Sequence, residues 1–421
     1  MTSQAILSRP LILPNGVVIK NRLVKSAMSE ALGTRQGGST PELVRLYQAW
    51  ADGGIGLCIT GNVMIDHGAL GEPGNVVIAD DRDLPALQAW ARAATANGTQ
   101  CWVQLNHPGK QAPKGLNKET VSPSAVPFRA EMQGLFATPR ELADGEVRAL
   151  IRRFGEAAGV VKAAGFTGVQ IHGAHGYLVS QFLSPHHNVR TDAWGGTPEK
   201  RRRFVLEVYT AIREAVGEDF PVGIKLNSAD FQRGGFTEEE SLDTIRALAD
   251  AGIDLVEISG GTYEAPAMTG VKFANKPARE STRLREAYFL EFAETARRAV
   301  STPLVVTGGF RSAQGRADAI ASGAVGLVGL ARMLAIEPDA PNRLLAGQAP
   351  RYRVRPITTG IKAVDKMGIL EIIWYTGQLK RIGRGRSSWP NEPALWVFGK
   401  LAWSLLRAGR KKRRPTRLRA S

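Results

Sequence analysis

The sequence predicts an α/β chain folded as a (β/α)8 TIM barrel, followed by a C-terminal helical extension and a basic tail. Three observations carry that expectation. Eight short runs rich in Val, Ile and Leu alternate with helical stretches through the first ~330 residues, which is the count and size of such a barrel. The runs are apolar almost throughout, as strands covered on both faces by helices are. Residues that carry chemistry stand at or just after the ends of these runs, where a barrel keeps its site.

In chain order the expected strands are RLVKSA (22–27), IGLCIT (55–60), CWVQL (101–105), FTGVQIH (166–172), PVGIKLN (221–227), DLVEIS (254–259), PLVVTG (303–308) and AVGLVGL (324–330). Between them lie LPALQAWARAATANG, VRALIRRFGEAAGVVKAAG and EESLDTIRALADAG, which end in the NG or AG that stops a helix in a left-handed cap. A doubly wound open sheet is the competing architecture. It calls for a glycine-rich first turn, and RLVKSAMSEALG contains no G-x-G-x-x-G. The expected division is residues 1–350 as the barrel, 351–387 as an extension packed on it, and 388–421 as an amphipathic, strongly basic tail.

Composition narrows the function classes. The chain has 421 residues, 43% of them hydrophobic, enough for a sizeable core. Its two cysteines, Cys58 and Cys101, sit in apolar runs and read as buried thiols. Two cysteines make neither a four-thiolate metal centre nor a disulfide framework, so a reducing, cytoplasmic setting is expected. The N-terminus has no signal-peptide core, and no run of 18 apolar residues occurs. Residues 380–421 hold thirteen Lys or Arg against one acid, so +12 of the net +16 sits there and +4 remains for the body.

IHGAHGYLVSQFLSP, from residue 171, holds two of the six histidines three residues apart, His172 and His175. On a helix that spacing puts both on one face; on a straight strand it puts them on opposite faces. Gly173 and Ala174 directly after a strand suggest that the chain has begun to turn, which lets both rings converge. A metal site, a satisfied piece of core and a pair of donors for a substrate oxygen all remain open. Zinc is disfavoured, because no carboxylate or cysteine stands nearby in sequence.

Lined up, SAMSE, TGN, QLNHPGK, HGAHGY, KLNSAD, TGGF and LAR at the strand ends resemble the old yellow enzyme family of FMN-dependent ene-reductases. The resemblance runs over roughly residues 10–335. Its most specific piece is HGAHGYLVSQFLSPHHNVRTDAWGGTPEKRRRF (172–204), and KNR and GGF support it independently. It implies FMN as cofactor, NADH or NADPH as electron donor, and a small activated alkene as substrate. It also implies hydride transfer from flavin N5 to the β-carbon of an α,β-unsaturated carbonyl, with Tyr177 protonating the α-carbon. His172 and His175 would hold the carbonyl oxygen, whose charge grows in the transition state. No metal is implied.

The same resemblance assigns the flavin contacts. Ser26, Ala27, Met28 and Ser29 match the stretch along the ring, with Ser29 where relatives carry Cys or Thr. Gly61 would let the backbone approach the ring, and Gln104 would bond its edge. Lys225 falls where the family sets a basic residue against flavin N1 and O2; Lys keeps the charge of the commoner Arg without its rigid fork. Gly308 and Gly309 would offer backbone N–H groups to the phosphate, with Ala331 and Arg332 opening a helix beside it. Ala31 stands about where several relatives place a substrate-contacting tyrosine, which leaves the pocket either roomier or completed by another loop. His107, in QLNHPGK, reads as structural or as part of the pocket rim. With no cysteine cluster and no downstream dinucleotide-binding domain, electrons are expected directly from NAD(P)H.

After EIIWYTGQLKRIGRG (371–385) the resemblance fades. On a helical wheel Lys400, Ser404 and Arg407 share a polar stripe. Leu395, Val397, Phe398, Leu401, Leu405 and Leu406 fill the rest, bordered by Trp396 and Trp403. Tryptophans on a short apolar helix before RKKRR suit a peripheral anchor on an anionic membrane, on its inner face. A helix docked on the barrel with a basic end is the competing reading. No nucleic-acid partner is expected, and a homo-oligomer is left open. Two other functions compete with the ene-reductase: a flavin dehydrogenase of the demethylase or dienoyl-CoA reductase kind, and a non-catalytic, membrane-associated barrel.

Overall fold

The computed structural model describes residues 1–261, 289–365 and 369–400. Eight parallel strands close on themselves: β1 (Leu23–Lys25), β2 (Leu57–Met64), β3 (Gln100–Asn106), β4 (Gly168–Gly173), β5 (Val222–Asn227), β6 (Leu255–Ser259), β7 (Leu304–Thr307) and β8 (Leu327–Leu330). Each pairs with the next, and β8 pairs with β1, so no edge remains. All eight expected strands are present. One boundary differs: TGN does not follow β2 but lies within it. The pairing with β3 slips between Ile59 and Asn62, and the strand resumes to Met64, where it also pairs with Val76–Val77. A bulge admits the extra residue without ending the ladder.

The surrounding helices include α1 (Pro41–Asp52), α2 (Leu84–Ala94), α3 (Asp144–Ala163), α4 (Pro198–Val216), α5 (Glu238–Asp250), α6 (Leu290–Ala299) and α7 (Ala313–Ala321). Their starts are written in the sequence. Thr40, Thr197, Thr237 and Ser312 each accept a bond from a backbone N–H of the first turn, and Pro41 and Pro198 open α1 and α4. The AG endings act as read: Gly165 and Gly252 adopt φ +89° and +94° just beyond α3 and α5.

The barrel interior has two halves. Val24, Leu57, Ile59, Trp102, Leu255, Val305 and Leu327 form an apolar lower cluster, plugged from below by Leu13 and Ile19 of an N-terminal hairpin. Trp102 fits because Gly168 and Gly223 stand beside it; a Cβ on either would lie 2.6 or 2.8 Å from the indole. Outward-facing strand residues, among them the buried free thiols Cys58 and Cys101, pack on the helices.

The C-terminal segment is tied to the barrel at defined points. Helix α8 (Ile369–Gly383) donates from Thr376 Oγ1 to the Ser29 carbonyl at 3.2 Å, and Arg45 of α1 bonds the Gly383 carbonyl at 2.7 Å. No helix among the described residues is long and apolar enough to cross a membrane.

Candidate active site

Above Trp102 the inward-facing residues turn polar. Alternation along each strand carries Gln104 of β3, Gln170 and His172 of β4, Lys225 of β5, Glu257 of β6 and Thr307 of β7 into the upper barrel. They form one network. Gln104 Nε2 donates to Gln170 Oε1 at 2.7 Å, and Gln170 Nε2 donates to Glu257 Oε2 at 2.8 Å. Thr307 Oγ1 donates to Glu257 Oε1 at 2.7 Å, and Lys225 Nζ lies 3.2 Å from that same oxygen. Ser26 Oγ completes the line at 2.7 Å from Thr307 Oγ1. Burial pushes the Glu257 carboxyl up, but the Lys225 charge and the Thr307 and Gln170 bonds outweigh it and hold it below the usual carboxylate range.

His172 and His175 converge because the chain turns sharply after β4. His175 takes a left-handed conformation, φ +62°, unusual for a residue with a side chain, and Gly176 follows at +79°. The two imidazole centroids lie 5.3 Å apart, and the Tyr177 ring is 4.7 Å from that of His172. His175 Nε2 meets Ser259 Oγ at 2.7 Å, its backbone N–H bonds Asn227 Oδ1, and Tyr177 Oη accepts from Asn62 Nδ2 at 3.2 Å.

Both imidazoles are uncharged. Burial, helped by His175 and Lys225, drives His172 well below its ordinary value; burial and Lys225 bring His175 to about 3. His172 Nδ1 accepts from the Ala174 N–H at 3.3 Å, so its proton sits on Nε2. Among the described residues no group of three or more His, Cys, Asp or Glu side chains is arranged to hold a metal. His107 is also buried, takes the Gly109 N–H on Nδ1, and is lowered by burial to about 4.

Other sequence-selected residues lie outside this network. Ser29 donates to Glu72. Gly61 is glycine for a local reason: a Cβ there would meet Glu30 Oε2 at 2.0 Å and the Met28 carbonyl at 2.3 Å. Glu30 Oε1 in turn takes the Gly61 N–H at 3.0 Å and the Tyr47 hydroxyl at 2.5 Å, beside the buried Lys25. Ala27 packs on the lower core and Met28 on the outer one. Ala31 is left-handed, φ +48°, and lines a narrow recess with Ser29, Asn62 and Glu72. Gly308 and Gly309 follow β7 with φ +99° and +86°. After Ala331 comes only the short helix Arg332–Ile336, and Arg332 pairs with Glu371 of α8 at 2.8 Å.

Sequence reasoning missed Glu257, Gln170, Thr307, Asn62 and Glu30. Glu257 had a signal: an acid inside the apolar run DLVEIS is as unusual as the lysine inside GIKLN.

The upper barrel suits a flavin mononucleotide. Gln104, fully buried, holds Oε1 with no hydrogen-bond partner, an acceptor for an imide N–H. Lys225, whose ammonium stands in the same network, would supply a cation for the neighbouring carbonyl edge. A Cβ on left-handed Gly308 would have no atom within 4 Å, which leaves room for a phosphate beside the backbone.

Residues 7–350 match the model of the NADH:flavin oxidoreductase / NADH oxidase family. The chain is 39% identical to the NADH-dependent flavin oxidoreductase iliE of Neonectria sp. (strain DH2), over 79% of this chain and 46% of that one. It is 37% identical to the iliE protein of Hypocrea jecorina (strain QM6a), over 80% and 88%. It thus spans under half of the first relative and most of the second. The fold matches an old yellow enzyme homologue from Zymomonas mobilis with a TM-score of 0.70 at 22% identity, over 85% of this chain and 98% of that one.

Proposed function

The chain belongs to the NADH:flavin oxidoreductase / NADH oxidase family, whose cofactor is FMN, and from that premise we propose that it reduces the C=C bond of α,β-unsaturated carbonyl compounds. The convergence of two uncharged imidazoles and a phenol above the network carries this reading. FMN, reduced by NAD(P)H, supplies the hydride for the β-carbon; the names of both fungal relatives favour NADH. His172 Nε2–H and the His175 ring hold the carbonyl oxygen, and as neutral donors they favour the form in which charge collects on that oxygen. Tyr177 Oη, which accepts from Asn62, protonates the α-carbon.

The test is anaerobic re-oxidation of the reduced holoenzyme by enones, enals, nitroalkenes and enoyl thioesters. A His172→Ala/His175→Ala double variant should bind FMN and be bleached by NADH, yet turn over an enone ~10²–10³-fold more slowly. Loss of FMN from that variant would make the pair structural. Bleaching by an amine or alcohol, with no re-oxidation by enones, would favour a dehydrogenase.

We further propose that residues 388–421 hold the protein on an anionic membrane. Two observations support it. Ala394, Val397 and Phe398 pack on the body, while Leu395 and Trp396 remain 55% and 60% exposed, as does Trp389 at 41%. The wheel therefore divides: Leu395 does not share the inward face of Val397 and Phe398. The one acid of the tail, Glu392, is buried and engaged by Gln378 and Lys400, so within the tail it offsets Lys400 and no other basic residue. The stretch 401–421, with Leu401, Trp403, Ser404, Leu405, Leu406 and Arg407, lies outside the described residues. Flotation with anionic vesicles should carry the full chain and not a chain ending at 387; equal behaviour of the two sinks the idea.

A further inference from the structure

Three of the residues selected as flavin contacts, Gln104 on β3, Lys225 on β5 and Ser26 just after β1, all lead to one carboxylate. Glu257 takes Lys225 and Thr307 on Oε1 and Gln170 on Oε2; Gln104 reaches it through Gln170, and Ser26 through Thr307. Its side chain is 1% exposed. We propose that Glu257 is the positioning residue of the flavin site: it fixes which atom Gln104 presents to the cofactor and how much of the Lys225 charge the cofactor feels. The inference rests on the reading that Gln104 and Lys225 face the flavin.

The first part follows from donor and acceptor bookkeeping. An ionised carboxylate only accepts, so Gln170 must turn its NH2 toward Glu257. That leaves Gln170 Oε1 facing Gln104, which must answer with its own NH2. Gln104 Oε1 is then the atom left over, and it is the one without a partner. A single carboxylate thus sets the orientation of two amides in series and makes Gln104 an acceptor. An imide N–H matches that polarity; a carbonyl does not.

The second part is electrostatic. A lone ammonium beside the electron-accepting edge of a flavin favours the reduced, anionic form and raises its potential. With Glu257 at 3.2 Å, the lysine presents a neutral pair instead of a unit charge. His172 and His175, the other titratable groups near Lys225, are uncharged and do not alter that balance. The pair therefore keeps the flavin a stronger reductant than Lys225 alone would.

Spectroscopic redox titration of the holoenzyme tests this. Glu257→Gln should raise the FMN midpoint potential, with the reduced-to-oxidised ratio at fixed potential rising ~10-fold, or ~30 mV for a two-electron couple. It should also weaken FMN binding, because a glutamine at 257 lets Gln170 and Gln104 flip. Lys225→Met should move the potential the other way, and the double variant should return near the wild-type value, because removing both charges removes a pair that is already neutral. An unchanged potential in Glu257→Gln, or a double variant that stays as far from the wild-type potential as either single variant, overturns the proposal. If Lys225→Met leaves both potential and FMN affinity at wild-type values, the placement of Lys225 at the flavin fails, a separate outcome. Should Glu257→Gln not fold, Glu257→Asp keeps the charge but draws it back from Lys225, and a smaller upward shift is expected.

Discussion

The two halves of the barrel interior differ in kind. Below, seven strand residues and the hairpin plug form a cluster of apolar side chains in which shape decides everything: Trp102 exists there because two glycines make room. Above, the same strands carry amides, hydroxyls, imidazoles and an ion pair, and polarity decides everything. A polar core is costly unless each group is satisfied. Here Gln170, Glu257, Lys225, Thr307 and Ser26 satisfy one another, and the fully buried Gln104 keeps one unbonded acceptor at the end of the line. The lower half makes the barrel close; the upper half is what a closed barrel can then hold rigid.

The largest expected effect lies in the lower half. Trp102→Ala should destabilise the protein by ~3–5 kcal/mol, because the cavity it opens is walled by strands that cannot collapse. Chemical denaturation of the holoenzyme reads this. The surviving folded fraction should keep its flavin spectrum, since no polar group of the upper half bonds the Trp102 indole. Trp102→Phe should cost far less, as the buried indole N–H has no partner to lose. If Trp102→Ala instead stripped FMN without loss of stability, the division between the halves would be false.

The same division explains what could be read from the chain beforehand. The eight strands were legible because a sheet covered on both faces leaves continuous apolar runs, and helix ends were legible as the AG that follows them. Lys225 was visible as a charge inside such a run. Glu257 was equally visible as a residue and invisible as a partner, because their pairing depends on a register between neighbouring strands, Lys225 beside Glu257, that spacing does not encode. The bulge after Ile59 was missed for a like reason: Gly61 was matched to a close approach of the backbone to the flavin ring, while a demand for glycine also comes from Glu30 and Met28, about thirty residues earlier. Ser29 was matched to a flavin contact, yet its hydroxyl is engaged by Glu72, on a loop with no hydrophobic period to reveal it.

The smaller expected effect separates the halves by pH. The lower cluster contains no titratable group; the upper half holds His175, whose folded value is about 3 against an ordinary 6.5. The sign follows from linkage. The unfolded chain binds this proton below pH ~6.5 and the folded chain does not until pH ~3, so stability is full above 6.5 and falls as pH drops between the two values, at up to ~1.4 kcal/mol per pH unit for each such histidine. His172, lowered in the same direction, adds to it. His175→Asn tests the contribution cleanly, because asparagine tolerates the left-handed backbone at φ +62°. Urea midpoints measured from pH 4 to 7 should lose part of their pH dependence in His175→Asn and keep all of it in Trp102→Phe. Enone turnover should show no break near pH 6.5 from either histidine, since both stay uncharged there. A break at that pH, abolished by His175→Asn, would mean that the ring ionises in the working enzyme and that the neutral donor pair is the wrong picture.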